Sequence, residues 1–239
     1  MKSFTTKWML AAAACAIAAG SAVAQGNNSY ANMLDTIRTS NQALFRDMNA
    51  INQRNSDLAR MVNGSGRTSS PAPEVATAPP PVYLLPQYPI TATDFRSLPG
   101  RLMPDRLANG IAGVTFLQRL AIRGSYYRFL TDFEAENRRN NIAAAMAFAA
   151  RLSLRAVYGR ELSPVEVDQM AATFNNALAT NPQFNAMAPQ QKQGLYESLI
   201  ITGGTVAVLQ MQGIQQNDFV MQTQAKELGQ MVLRQWLGI

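Results

Sequence analysis

Two acidic residues, Asp132 and Glu136, have the spacing that carboxylate chemistry would need. They lie four residues apart in T-D-F-E-A-E-N, so a helix would place both on one face while Glu134 points elsewhere. Two carboxylates at the right separation can hydrolyse a glycosidic bond, one as acid and the other as base or nucleophile. The same acids also suit a solvated helix end that is supported by ion pairs with Arg138 and Arg139. The second interpretation is the simpler one, and the first stays open.

Glu197 is a further candidate because it lies among apolar residues in Q-G-L-Y-E-S-L-I. An acid that faces the interior of a protein needs a partner. We expect Arg151 or Arg155, from an alanine-rich segment, to form that buried pair and to fix the register of the two helices. A functional acid at Glu197 is the alternative.

The sequence lacks most residues on which other chemistries depend. It contains no histidine, and its one cysteine is Cys15. A Ser-His-Asp triad is therefore excluded, as are the usual zinc, copper and haem sites. It contains neither G-x-x-x-x-G-K nor G-x-G-x-x-G, the common phosphate-binding loops. We therefore predict no cofactor and no metal, and assign no catalytic residue beyond the weak candidates Asp132, Glu136 and Glu197.

Residues 1–24 have the pattern of a signal peptide. Lys2 and Lys7 precede an Ala-rich apolar run, and Ala22-Val23-Ala24 is a small-x-small cleavage site. The run is too short to span a bilayer as a helix, which needs about 20 apolar residues. We predict cleavage between Ala24 and Gln25 and a periplasmic or secreted protein without a transmembrane span.

A lipoprotein is the minor alternative for this leader, with Cys15 as the acylated residue. In either case no disulfide forms within the exported chain, so packing alone must hold the fold. Loss of Lys2 and Lys7 would lower the net charge from +6 to +4. No run of Lys or Arg stands out, so we expect no nucleic-acid partner.

Residues 25–62 predict an amphipathic helix that can form a coiled coil. Apolar residues recur every seven positions from Tyr30 to Leu58, and a second set runs from Leu34 to Val62 with alternating spacings of four and three. Asn41 and Asn55 occupy a positions of this heptad pattern. A buried Asn at a selects a like partner and sets register, so residues 30–62 predict self-association. A single helix lying on the main domain is the alternative.

Residues 63–100 predict a Pro-rich linker. Eight of the twelve prolines lie between Pro71 and Pro99, and proline removes a backbone donor and fixes φ. The stretch is therefore expected to be an extended, semi-rigid spacer.

Residues 101–239 predict an all-α bundle of about five helices. A helix from Ile111 to Phe133 carries an apolar stripe at helical spacing. Asn140 or Asn141 can cap the next helix, which ends at Gly159. The predicted stripe of the first helix consists of Phe116, Leu117, Leu120, Tyr127 and Leu130.

Strong capping signals mark the start of the next helix. Ser163, Pro164 and Glu166 form a capping box at the start of a helix that runs to about Ala179. Glu161, Glu166 and Asp168 are acids that suit the positive end of that helix.

The last two helices complete the predicted bundle. One spans Pro189 to Gln212 and contains the pair Gly203-Gly204, which indicates a kink or close packing. The other is capped by Asn217 or Asp218.

The segment from Asn140 onward resembles a bacterial family of exported helical proteins known only as a domain of unknown function. The matching features are N-N-I-A-A-A at Asn140–Ala145, A-x-N-P-Q-F at Ala179–Phe184 and K-Q-G-L-Y-E-S-L at Lys192–Leu199. The resemblance covers the last hundred residues and is taken to extend over about 93–239, so the heptad segment and most of the Pro-rich segment lie outside it. It implies an exported all-α domain and brings no activity, ligand or catalytic residue.

These observations predict a non-enzymatic exported protein that acts in interaction or assembly. Its partners would be a second copy of the chain through residues 30–62, and an envelope protein or glycan. The alternative is a carboxylate-dependent hydrolase acting on peptidoglycan or another glycan. A small-molecule carrier is a third possibility, for which no residue stands out in the sequence.

Overall fold

The computed structural model describes residues 86–111 and 113–237, with side chains to residue 234. The predicted signal peptide, Cys15, and the heptad segment with Asn41 and Asn55 lie outside these residues, as does the linker before Pro86. Across the described ranges, every helix falls short of the length or the apolar character that crossing a membrane requires.

The described chain is all-α, as predicted, with one isolated bridge between Asp94 and Asn141. A short 3-10 helix precedes seven α-helices, of which five are long. The 3-10 helix spans Ile90–Thr93, and the α-helices are α1 (Met103–Gly110), α2 (Phe116–Glu136), α3 (Ile142–Tyr158), α4 (Pro164–Ala179), α5 (Pro182–Ala186), α6 (Pro189–Gln215) and α7 (Phe219–Leu237).

The predicted helix ends of α3 and α4 are confirmed. The side chain of Asn141 accepts a hydrogen bond from the backbone of Ala144, and Gly159 ends α3 in the left-handed conformation with φ of 65°. Ser163 and Glu166 form a capping box at the start of α4. These signals depend only on neighbouring residues, which is why the sequence shows them.

Helix α3 lies at the centre of the bundle and packs against α4, α6 and α7. Its alanines are buried and allow the neighbouring helices to come close. The pair Gly203-Gly204 of α6 sits at such an approach. A Cβ atom on Gly203 would lie 3.0 Å from the Cα of Ala149, and one on Gly204 would lie 2.7 Å from the ring of Phe129. The glycines therefore serve close packing.

The predicted helix from Ile111 to Phe133 is wrong at its start. Ile111 caps the C-terminus of α1, and α2 begins at Phe116 with Thr115 as its N-cap. The predicted apolar stripe is also wrong in its first half, because Phe116 is 78% exposed. The bundle covers only the later part of α2.

The apolar side chains of α2 thus fall into two groups. Leu117 is as exposed as Phe116, and Leu120 is nearly half exposed. The aromatic residues Tyr126, Phe129 and Phe133 are buried in the core. Phe133 packs edge to face against Phe148 and Tyr196.

A segment that we call the strap, residues 86–102, crosses the bundle before α1. All but its last two residues belong to the predicted Pro-rich linker of residues 63–100, yet Thr93 is fully buried and Phe95 is nearly so. Phe95 contacts Tyr196 of α6 edge to face. The strap is therefore packed on the bundle, and it forms one wall of the site described next.

Candidate functional site

Glu197, the buried acid singled out in the sequence, lies beneath the start of α1. Its side chain is fully buried, as expected for an inward-facing acid. One carboxylate oxygen accepts hydrogen bonds from the backbone N–H groups of Leu102 and Met103, each at 2.8 Å. The acid thus caps α1, whose first N–H groups have no partner within the helix.

The expected buried pair between Glu197 and Arg151 or Arg155 is wrong. Arg155 is exposed and forms an ion pair with Glu161 at 2.9 Å, whereas Arg151 faces a groove described below. Backbone N–H groups satisfy the buried carboxylate without the cost of burying a second charged side chain.

Gln193, one turn before Glu197 on α6, connects this acid to the strap. Its side-chain nitrogen donates to Oε1 of Glu197 at 2.9 Å and to the carbonyl of Gly100 at 2.8 Å. Its side-chain oxygen accepts from the backbone of Leu98 at 2.7 Å. One buried amide therefore both orients the acid and holds the strap.

Glu134 is engaged with the strap rather than with its helical neighbours. Arg101 donates two hydrogen bonds to its carboxylate, at 2.7 and 2.6 Å, and the hydroxyl of Tyr196 donates a third at 3.2 Å. The bond to Glu134 raises the pKa of Arg101. Burial, with Glu134 nearby, raises the pKa of Tyr196. Both groups therefore keep their protons at neutral pH.

The three candidate catalytic acids have different surroundings. Asp132 lies 3.7 Å from Arg128, one turn earlier on α2. Glu136 is exposed and lines a groove together with Asp168, and neither Asp132 nor Glu197 lines that groove. The structure thus does not bring Asp132, Glu136 and Glu197 to one cleft.

The expected ion pairs of Arg138 and Arg139 with acids of α2 are also wrong. Arg138 forms two hydrogen bonds with Asp94 of the strap, at 2.9 and 2.5 Å. Arg139 donates to the backbone carbonyl of Glu134. The bond with Arg138 is the main reason that the pKa of Asp94 is lowered.

Buried asparagines hold the beginning of the strap. Asn175 of α4 donates to the carbonyl of Pro89 at 2.9 Å and accepts from the hydroxyl of Thr93 at 2.9 Å. The side-chain oxygen of Asn176 accepts from the backbone of Gln87 at 2.9 Å. Asn141 donates to the carbonyl of Ile90 and to Asp94, each at 2.7 Å. These contacts pair the strap's backbone groups as a neighbouring strand would.

A groove of about 430 Å³ is lined by residues of α3, α4 and the strap. Small residues of both helices contribute to the lining, together with Arg151 and Asp168. The groove is lined by Pro86, Tyr88, Ile90, Glu136, Asn137, Arg138, Ala144, Ala147, Phe148, Arg151, Val167, Asp168, Ala171, Ala172 and Asn175.

Comparison of the whole chain with protein-family models gives one assignment. A family described as a family of unknown function, DUF6683, matches residues 4–239. The chain belongs to this family. No curated protein and no solved structure matches the chain. The DUF6683 match corrects the expected extent of the resemblance, because it includes the heptad and Pro-rich segments that the motifs after Asn140 did not reach.

The sequence did not point to several of the residues that organise this site. Gln193 lies in the K-Q-G-L-Y-E-S-L motif, which gave it no role, and Asn175 and Asn176 lie in none of the quoted motifs, although an Asn-Asn pair inside a helix is itself a signal. Asparagine is a poor helix former, so two adjacent asparagines in a helix interior indicate that their side chains form hydrogen bonds with another segment. Within the described residues, no three Asp or Glu side chains group closely enough to hold a metal ion.

Proposed function

We propose that the protein is an exported, non-enzymatic assembly module. In this proposal the signal peptide directs export, the heptad segment 30–62 associates with a second copy, and the bundle faces an envelope protein or glycan. The Pro-rich segment separates the two parts. The observation that carries the proposal is the way in which the bundle holds the strap.

The strap is the point at which the N-terminal segments join the bundle. Four polar side chains of the helices, Asn141, Asn175, Asn176 and Gln193, bind its backbone, and Asp94 and Arg101 add bidentate pairs. Each hydrogen bond of the amide side chains contributes about 1 kcal/mol, and the partly exposed pair of Asp94 with Arg138 contributes less than about 1 kcal/mol. A firm attachment of this kind supports a role in which the N-terminal helix transmits association to the bundle.

The same bonds give the hydrolase alternative no specific support. Glu197 is engaged by backbone N–H groups, and Glu134 is engaged by Arg101 and Tyr196. Both acids bind the strap, and the proposed assembly module gives a structural role to Glu197, the buried acid that the sequence singled out.

Sedimentation of the mature chain tests the association. We expect an oligomer from residue 25 onward, and a monomer when Leu44→Asp and Ile51→Asp place charges on the heptad seam. Thr39→Asp and Gln53→Asp are the matched control, because they add the same charges on the opposite side of the predicted helix. A wild-type monomer would refute the proposal, as would an equal effect of the two pairs of substitutions.

Export is tested separately by expressing the full chain in a bacterial host. Cleavage after Ala24 predicts a periplasmic or secreted product that begins at Gln25, and mass spectrometry of the purified protein measures its N-terminus. A cytoplasmic product that still carries residues 1–24 would contradict export.

A further inference from the structure

The groove between α3 and α4 contains features that assembly through the N-terminal segments does not require. We propose that this groove binds an elongated organic monoanion. Its acidic group pairs with Arg151, and its apolar body lies against the alanines that line the groove. This site is separate from the heptad segment and from the buried acids beneath α1.

Two helix faces build the groove. On α3, Ala144, Ala147 and Arg151 are spaced by three and four residues, so they lie on one side of the helix. On α4, Ala171 occupies the facing side. Alanine has only a methyl group, so the two helices leave between them the open volume of about 430 Å³. Binding sites for small molecules typically enclose about 300–1,000 Å³.

Arg151 supplies the anchor for a negative charge. Its Nε atom is shielded from solvent and has no hydrogen-bond partner among the described residues. Because Arg151 lines the groove and has no acidic partner among the described residues, a ligand carboxylate in the groove would give its guanidinium one. A planar guanidinium also presents two parallel donors, which match the two oxygens of a carboxylate.

Arg151 differs from the neighbouring arginines, because each of them has an acidic partner. Arg155, one turn later on the same helix, forms an ion pair with Glu161, and Arg138, which also lines the groove, pairs with Asp94. Arg151 forms no ion pair with the described residues, although Asp168 lines the same groove. The guanidinium of Arg151 therefore has no acidic partner among the described residues.

The dimensions and charges of the groove define the ligand class. Ala144 and Arg151 are seven residues apart, which is about 10 Å along a helix. Tyr88, Ile90 and Phe148 add apolar side chains to the lining. Of the two lining arginines, Arg138 is paired with Asp94, so Arg151 alone offers a partner for one negative charge, and the exposed acids Glu136 and Asp168 would repel further ones. These features favour a monocarboxylate with an apolar chain of about eight carbons.

Calorimetric titration of the mature protein with octanoate tests the proposal, with octylamine as the probe of opposite charge. We expect octanoate to bind and octylamine not to bind. Arg151→Met should weaken octanoate binding at least tenfold. Arg155→Met is the matched control on the same helix, and it should bind octanoate as the wild type does.

A second variant keeps the test valid if Arg151→Met folds poorly. Ala171→Leu fills the groove and leaves Arg151 in place, so it should abolish octanoate binding while the thermal melting curve stays cooperative. Absence of octanoate binding to the wild type would overturn the proposal. Equal binding of octylamine would overturn it as well, as would undiminished binding to both variants.

Discussion

The Oε2 atom of Glu197 lies 2.8 Å from the backbone nitrogen of Met103, so a fully buried acid on α6 caps the N-terminus of α1. The negative charge complements the positive end of the α1 dipole. It also satisfies N–H groups that would otherwise be buried without partners. This contact joins the strap, α1 and α6, and the first prediction concerns its strength.

Replacing Glu197 by Gln should lower the free energy of unfolding by about 2 kcal/mol, in the range measured for hydrogen bonds to charged groups. The amide keeps the shape but loses the charge, and its NH2 group would face the side-chain nitrogen of Gln193. Urea denaturation measures the change. Glu227→Gln is the control because Glu227 is exposed, and it should change stability by less than about 0.5 kcal/mol. Equal effects of the two substitutions would refute the capping role.

Two glycines should respond to alanine in opposite directions. Gly204→Ala brings a Cβ atom to 2.7 Å from the ring of Phe129, so we expect a loss of about 1–3 kcal/mol. Gly124→Ala meets nothing within 4 Å in the exposed part of α2 and should stabilise the protein by about 0.5–1 kcal/mol. Urea denaturation of both variants gives the comparison. A stabilising Gly204→Ala would show that α6 and α2 do not pack as described.

Asn175→Ala should loosen the beginning of the strap. The substitution removes the bonds to the carbonyl of Pro89 and to the hydroxyl of Thr93. We expect faster amide hydrogen exchange in residues 86–95, while exchange in α3 and α6 stays slow. Asn185→Ala removes an exposed bond to Ala179 and should leave the strap unchanged. Unchanged exchange in residues 86–95 of Asn175→Ala would contradict the assigned role.

The pair between Asp94 and Arg138 should make the free energy of unfolding depend on pH in the acidic range. The pKa of Asp94 is lower in the folded protein than its unfolded value of about 3.9, chiefly because of the bond to Arg138. The folded state therefore binds a proton at Asp94 less readily than the unfolded state does. The ionised carboxylate stabilises the fold above about pH 4, and this stabilisation is lost as the pH falls through the folded pKa of Asp94.

Thermal melting from pH 7 to pH 2 checks this prediction. Asp94→Asn should melt at a lower temperature than the wild type at pH 7, and the difference should shrink as the pH falls below about 4. Asp168→Asn changes an exposed acid on the groove rim and serves as the control. A difference between Asp94→Asn and wild type that stays constant down to pH 2 would show that the Asp94 charge does not stabilise the fold.

Local signals predicted much of the fold. The caps at Asn141 and Ser163, and the end of α3 at Gly159, involve residues within a few positions of one another. The predicted ion pairs were wrong because the true partners are far away in the sequence. Glu197 and its partner Leu102 are separated by 95 positions, and Arg138 and Asp94 by 44. Helical spacing identifies neighbours on one helix and carries no information about which distant segment covers it.

The exposed part of α2 shows that helical spacing does not predict which apolar residues are buried. Phe116 and Phe129 both fit a helical stripe, yet the first is exposed and the second is buried. Spacing defines a face of a helix, whereas burial depends on how far the neighbouring helices extend along it. Only the packed bundle supplies that information.

The sequence by itself determined the all-α class, most helix ends and the absence of histidine, because these follow from composition and from contacts between near neighbours. The tertiary structure decided the roles of the polar residues. Packing placed Glu197 beneath α1, bound the strap to asparagines of α3 and α4, and left Arg151 facing a groove. The physical reason is that a buried polar group must find a partner, and the folded chain brings that partner from a distant segment.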